Sequence, residues 1–157
     1  MKNLQTFERI LIAVDDSKYA QCAADYGFSL AKKLNASVSL VHINEYPIAT
    51  NITGDPILGD SSMVLPNIMD IQNEQAKKLF ETLKNTFAPE TIVEEYILEG
   101  DTTNEIVNLA KEQHFSMIVI GTHSRTGFDH FISGSVASSV SRHADCPVLI
   151  VPFIESK

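Results

Sequence analysis

Five short apolar runs punctuate the chain, and between them apolar residues recur every three or four positions. The runs are Ile10-Leu11-Ile12-Ala13-Val14, Val38 to Ile43, Val93 to Leu98, Met117-Ile118-Val119-Ile120 and Val148-Leu149-Ile150-Val151. The first, fourth and fifth are nearly continuous and rich in β-branched residues, which predicts strands buried on both faces. The third interleaves Glu94, Glu95 and Glu99 with its apolar positions, a pattern suited to an edge strand. Ser17 is a good N-cap for a helix carrying Ala20, Ala23, Ala24, Gly27, Phe28, Ala31 and Leu34. The spacing of Ile71, Ala76, Leu79, Phe80, Leu83 and Phe87 predicts a second helix over 68–87. Thr102-Thr103-Asn104-Glu105 resembles a capping region ahead of Ile106, Leu109 and Ala110. Ser135 is placed to cap a last helix over 136–143. Strands alternating with helices read as βαβ units, hence an α/β three-layer sandwich with a parallel sheet. The segment 44–67 breaks the rhythm. Its Pro47, Gly54, Pro56, Gly59 and Pro66 predict a long loop.

The stretch most suggestive of chemistry runs from Gly121 to Ser135, between the fourth strand and the last helix. A glycine-containing turn ahead of a helix N-terminus suits an anion, because the first helical N–H groups have no partner within the helix. The glycines Gly121 and Gly134 match neither the Walker A pattern nor the Rossmann fingerprint. Two separate pieces of backbone would therefore wrap one ligand, with a nucleotide or another phosphate compound as the leading idea.

Composition narrows the partners. The 157 residues fit a single domain over 1–157, and apolar residues make up 44%. A net charge of -8 argues against non-specific binding to DNA, RNA or anionic membranes. A bound phosphate must then rely on local amides, a single arginine or a metal ion. No apolar run approaches a membrane span, and residues 1–8 lack the apolar core of a signal peptide, so a cytoplasmic protein is expected. Cys22 and Cys146 are expected as buried thiols. The five histidines show no metal-binding spacing, so no transition-metal site is expected, whereas a Mg²⁺ ion arriving on phosphate oxygens is compatible.

Asp15 and Asp16 end the first strand, and ligands of open α/β sheets bind beyond the carboxyl ends of the strands. If the first strand is central, Asp15, Ile43 and Gly121 come together. Asp15 can then accept from a ribose hydroxyl or a ligand amine, or either aspartate can cap the next helix with Ser17.

Asp15-Asp16-Ser17 after the first strand, Val41-His42-Ile43, Gly100-Asp101, Gly121 to Ala137, and Arg142 to Val151 together resemble the universal stress protein family. The resemblance covers about residues 7–153. It implies a five-stranded parallel sheet of order 3-2-1-4-5 and a homodimer paired through the last strand. The nucleotide-binding branch of that family holds ATP with Gly-x2-Gly-x9-Gly-Ser/Thr. Here the pattern is Gly121-x2-Ser124-x9-Gly134-Ser135, so the middle glycine is a serine. The resemblance places Ala13 and Asp15 against the adenosine, and Ile43 and Ile120 beside the adenine. Gly121, Ser124, Gly134, Ser135 and Val136 would hold ribose and phosphates. His123 and Arg125 match loop positions near the phosphates; a loop-bracing His123 and a solvated Arg125 are the alternatives.

No nucleophile is paired with a base, and residues 121–135 contain no P-loop lysine. The family resemblance implies at most slow ATP hydrolysis. The leading reading is thus an ATP-binding regulatory module of the stress response without fast turnover. A ligand-free protein-interaction dimer of the same fold is the alternative, with Ser124 as its support. A phosphoacceptor receiver domain is excluded by Leu98-Glu99-Gly100, where no acceptor aspartate ends the third strand.

Overall fold

A computed structural model describes residues 6–46, 64–122 and 136–153, with backbone alone for 64–67. The elements alternate as β1 (Arg9–Ala13), α1 (Lys18–Leu34), β2 (Ser37–Asn44), α2 (Val64–Phe87), β3 (Val93–Glu99), α3 (Thr102–Glu112), β4 (Met117–Thr122), α4 (Val136–His143) and β5 (Val148–Pro152). The five strands form one sheet in the order β3-β2-β1-β4-β5, and every pairing is parallel, as the sequence led us to expect.

Strand alternation divides the core into two layers. Ile10, Ile12, Val14, Leu40 and Val119 face α1 and α2, where Ala23, Ala24, Phe28, Phe80 and Leu83 meet them. Leu11, Ala13, Val41, Ile43, Ile118 and Ile120 face α3 and α4, against Ile106, Leu109, Ala137 and Val140. Small residues along α1 let it lie close to the sheet. A Cβ on Gly27 would stand 2.5 Å from Ile12 Cδ1.

Local signals were read correctly in some places and not in others. Ser17 caps α1 as expected, its hydroxyl accepting from the Ala20 N–H. The cap of α3 is Asp101, not the threonines after it: its carboxylate accepts from the Asn104 N–H at 2.9 Å. A φ of +143° at the preceding Gly100 turns the chain into that cap. Helix α2 starts at Val64, earlier than its apolar spacing suggested. Pro66 lies in its first turn, where a missing N–H breaks no helical bond. Cys22 and Cys146 are half-buried free thiols rather than fully buried ones. Burial is the main cause that pushes the Cys146 thiol up from its ordinary value.

The acidic edge strand β3 has a partner in each layer. Glu94 Oε2 accepts from the Ser39 hydroxyl at 3.2 Å, the Tyr96 hydroxyl at 3.2 Å and Arg9 Nη2 at 3.1 Å. The Arg9 guanidinium also lies 4.6 Å from the Phe115 ring centre. Glu95 pairs with Lys84 of α2. The Ser39 hydrogen bond foremost, then that from Tyr96, holds the Glu94 carboxyl below the usual carboxylate range. The folded state therefore binds this proton less readily than the unfolded chain. Its stabilisation is present at neutral pH and lost as pH falls through the lowered value. Because the Glu94 side chain is 58% exposed, solvent screening limits the effect. We expect Glu94→Gln to cost less than about 1 kcal/mol at neutral pH, the scale of an exposed pair. The gap between variant and wild type should close in acid, as measured by urea denaturation at both pH values.

Candidate functional site

The cavity follows from where β1 ends. The strand lies between β2 and β4, and the chain leaves it for α1 on one face while β4 leads towards α4 on the other. That divergence opens a crevice at the carboxyl ends of the central strands, the usual ligand position in such sheets. A cavity of about 890 Å³ occupies it. On the α3/α4 side its wall includes Ala13, Ile43 and Ile120, which are 7%, 9% and 6% exposed, so this wall is apolar and rigidly packed. The first turn of α4, Val136 and Ala137, completes that side. On the α1/α2 side the cavity reaches Tyr19, Gln72, Gln75 and Leu79.

The turn after β1 is held by short-range hydrogen bonds. Val14 N–H donates to the Val41 carbonyl at 2.9 Å. Asp15 Oδ1 accepts from the Ser17 N–H at 2.9 Å and from the Ser17 hydroxyl. Asp15 therefore braces the N-cap and also borders the cavity from an exposed position. Asp16 and Glu45 add further carboxylates at the rim, and no Lys or Arg is among the described residues lining the cavity.

Of the expected site residues, Ala13, Asp15, Ile43, Ile120, Gly121 and Val136 all border this one cavity. His123, Ser124, Arg125, Gly134 and Ser135 lie outside the described residues. Gly121 needs a correction. It belongs to β4, opposite Val151, rather than to the turn beyond the strand. A Cβ there would stand 2.5 Å from the Tyr19 carbonyl oxygen and 2.7 Å from its carbon. The first turn of α1 thus already requires a glycine at 121, before any ligand is considered.

Sequence reasoning missed a polar belt at the same end of the sheet. His42 Nδ1 donates to the Val14 carbonyl at 2.9 Å; a carbonyl can only accept, so Nδ1 carries the proton. Asn44, 5% exposed, donates from Nδ2 to Asn73 Oδ1 at 2.7 Å, and the Thr102 hydroxyl donates to Glu45 Oε1 at 2.7 Å. These bonds fasten the end of β2 to β1, α2 and α3. The signal available in the sequence was a histidine and an asparagine at the carboxyl end of an apolar run.

The architecture is that of a doubly wound α/β protein with a ligand-sized crevice at its topological switch point. The universal stress protein family model matches residues 6–152. The chain is 31% identical over 146 residues to the Bacillus subtilis universal stress protein YxiE, covering 92% of this chain and 99% of that protein. Among solved structures it resembles a universal stress protein in complex with cAMP, with a TM-score of 0.68, 20% identity and coverage of 94% and 98%. It also resembles the universal stress protein from Archaeoglobus fulgidus in complex with dAMP, with a TM-score of 0.58, 22% identity and coverage of 94% and 99%. The chain belongs to the universal stress protein family. No helix among the described residues is long and apolar enough to cross a membrane.

The contact at Gly121 yields a test that needs no ligand. Gly121→Ala should destabilise the ligand-free protein by about 1–3 kcal/mol, the usual cost of overpacking, because the Tyr19 backbone cannot rotate away. Urea denaturation without nucleotide measures it. Unchanged stability would mean that the α1 turn does not set the residue at 121.

Proposed function

We propose that this protein is an ATP-binding regulatory module of the stress response, acting in the cytoplasm without fast turnover and comprising one domain over 1–157. The observation that carries the reading is the cavity, where an apolar wall of Ala13, Ile43 and Ile120 faces a rim carboxylate, Asp15, beside the first turn of α4. An apolar slot accommodates a flat base, a carboxylate accepts from ribose hydroxyls, and the opening N–H groups of a helix suit phosphate. Such residues fit an adenine nucleotide. The family relatives solved with cAMP and dAMP support adenine as the base. His123, Ser124, Arg125, Gly134 and Ser135 complete the phosphate side in this reading, and Mg²⁺ would accompany the phosphates on their own oxygens. The Ser124 hydroxyl takes the place of the family's middle glycine as a phosphate donor.

Isothermal calorimetry tests the reading. ATP should give saturable heat at millimolar concentration, with GTP weaker, and Gly134→Val should abolish the heat while far-UV circular dichroism stays unchanged. No heat with ATP, with or without Mg²⁺, would overturn it, and would favour the ligand-free interaction dimer.

We further propose a homodimer through residues 148–151. Among the described residues β5 pairs with β4 alone, and Val148, Leu149 and Ile150 are only half-buried. An apolar strand with a free edge is an aggregation liability unless covered, and antiparallel pairing with its own copy covers both edges at once. Pro147 precedes the strand and Pro152 is its last residue, and neither can donate to a ladder, so pairing is limited to the residues between them. Phe153, which meets Tyr19 edge-to-face at 5.4 Å, would lie beside that seam. Light scattering should report twice the 17.3 kDa chain mass, and Ile150→Pro should shift it towards the monomer. A monomer at micromolar concentration, or a dimer indifferent to Ile150→Pro, would refute this interface.

A further inference from the structure

The cavity has a second, polar side under α2. Val41 and Ile43 point into the α3/α4 layer, so by alternation His42 and Asn44 point into the other, where Asn44 reaches Asn73 of α2. Helix α2 changes character over these strand ends. Its face on the sheet is apolar at Ala76 and Leu79. One turn earlier the same face carries Gln72 and Gln75, and both border the cavity, as His42 does. Gln72 is half-buried and Gln75 is exposed. Three polar groups on this side have no hydrogen-bond partner among the described residues: the amides of Gln72 and Gln75, and Nε2 of His42. With Nδ1 donating to the Val14 carbonyl at 2.9 Å, Nε2 of the neutral ring can only accept.

The ligand chemistry follows from what these groups can exchange. A phosphate or carboxylate brings acceptors only. It would meet the Nε2 lone pair and the Asp16 carboxylate, with no Lys or Arg among the described lining residues to offset them. An ammonium brings donors only, and would leave the glutamine N–H groups unmatched. A hydroxyl both donates and accepts, so a ring of hydroxyls satisfies two amides and an imidazole lone pair together. We propose that the α2 side of the cavity is a binding site for a neutral polyhydroxylated compound, a sugar or polyol, held by Gln72, Gln75 and His42 Nε2. This site is separate from the apolar wall of Ala13, Ile43 and Ile120, and does not depend on what occupies that wall.

Saturation-transfer NMR on the full chain, with myo-inositol as the probe, tests it. Wild type should transfer saturation to myo-inositol at millimolar concentration, whereas putrescine should receive none and inorganic phosphate should cause no shift in its own phosphorus signal. In titrations Gln72→Leu and Gln75→Leu should each weaken myo-inositol about tenfold, the scale of one hydrogen bond. Leucine suits a helix as well as glutamine does, so the melting temperature should hold. His42→Asn keeps a donor close to the Nδ1 position but lacks the Nε2 acceptor, and should weaken myo-inositol to a similar extent. ATP affinity should be unchanged in both glutamine variants. No transfer to myo-inositol in the wild type would overturn the proposal, as would undiminished affinity in both glutamine variants. Putrescine binding that the same variants weaken would overturn the ligand class. A parallel loss of ATP affinity in both variants would also overturn it, because the glutamines would then belong to the nucleotide site.

Discussion

Strand β1 is paired on both sides and covered on both faces, and the rest of the molecule is arranged around that constraint. Its Ile10, Leu11 and Ile12 have no exposed surface at all. A strand so placed cannot carry polar chemistry along its length, so function is pushed to its carboxyl end. There the chain must leave the sheet towards α1, and the neighbouring strand β4 leads to a helix on the opposite face. The crevice is thus a topological consequence of the strand order, and Asp15 and Glu45 at its rim follow the last buried positions at the ends of β1 and β2.

The same departure sets up a compact set of contacts around Tyr19. Its main chain approaches Gly121 closely enough to exclude a Cβ, and its ring meets Phe153 just beyond β5. The first turn of α1 is therefore wedged between the crevice and the edge strand. Side chains in a close-packed interior transmit displacement rather than absorb it. Any movement of that turn is felt at both Gly121 and Phe153.

The strands were legible because each is a short β-branched run between turn residues, and the acidic interruptions of β3 marked an edge. Their order came from family resemblance, since periodicity alone does not rank strands. The rule that ligands lie beyond strand ends brought Asp15, Ile43 and Gly121 together, whereas the wall residues Ala13 and Ile120 came from the family resemblance. Other features depend on distant neighbours that no local pattern reveals. Gly121 looked like a turn glycine, and its actual reason is a helix carbonyl more than a hundred positions earlier in the chain. Asp101 outcompeted the adjacent threonines as a cap because a carboxylate is the stronger acceptor for helix N–H groups. Pro66 looked like a loop marker and proved to sit where a helix tolerates it. His42 was passed over as a strand residue because the significance of its ring lies in the carbonyl it meets.

Charge sets the remaining constraint. The chain carries a net -8, and the rim contributes Asp15, Asp16 and Glu45 without a Lys or Arg among the described lining residues. Carboxylates repel phosphate, so the described part of the crevice suits the uncharged end of a nucleotide better than its anionic end. In the proposed orientation the base enters the apolar wall and the ribose meets Asp15. The phosphates must then lie towards α4, where helix N–H groups supply partial positive charge without a side-chain cation. An acidic rim at one end and a helix N-terminus at the other give the site a polarity, and that polarity selects one of the two directions in which a nucleotide could lie.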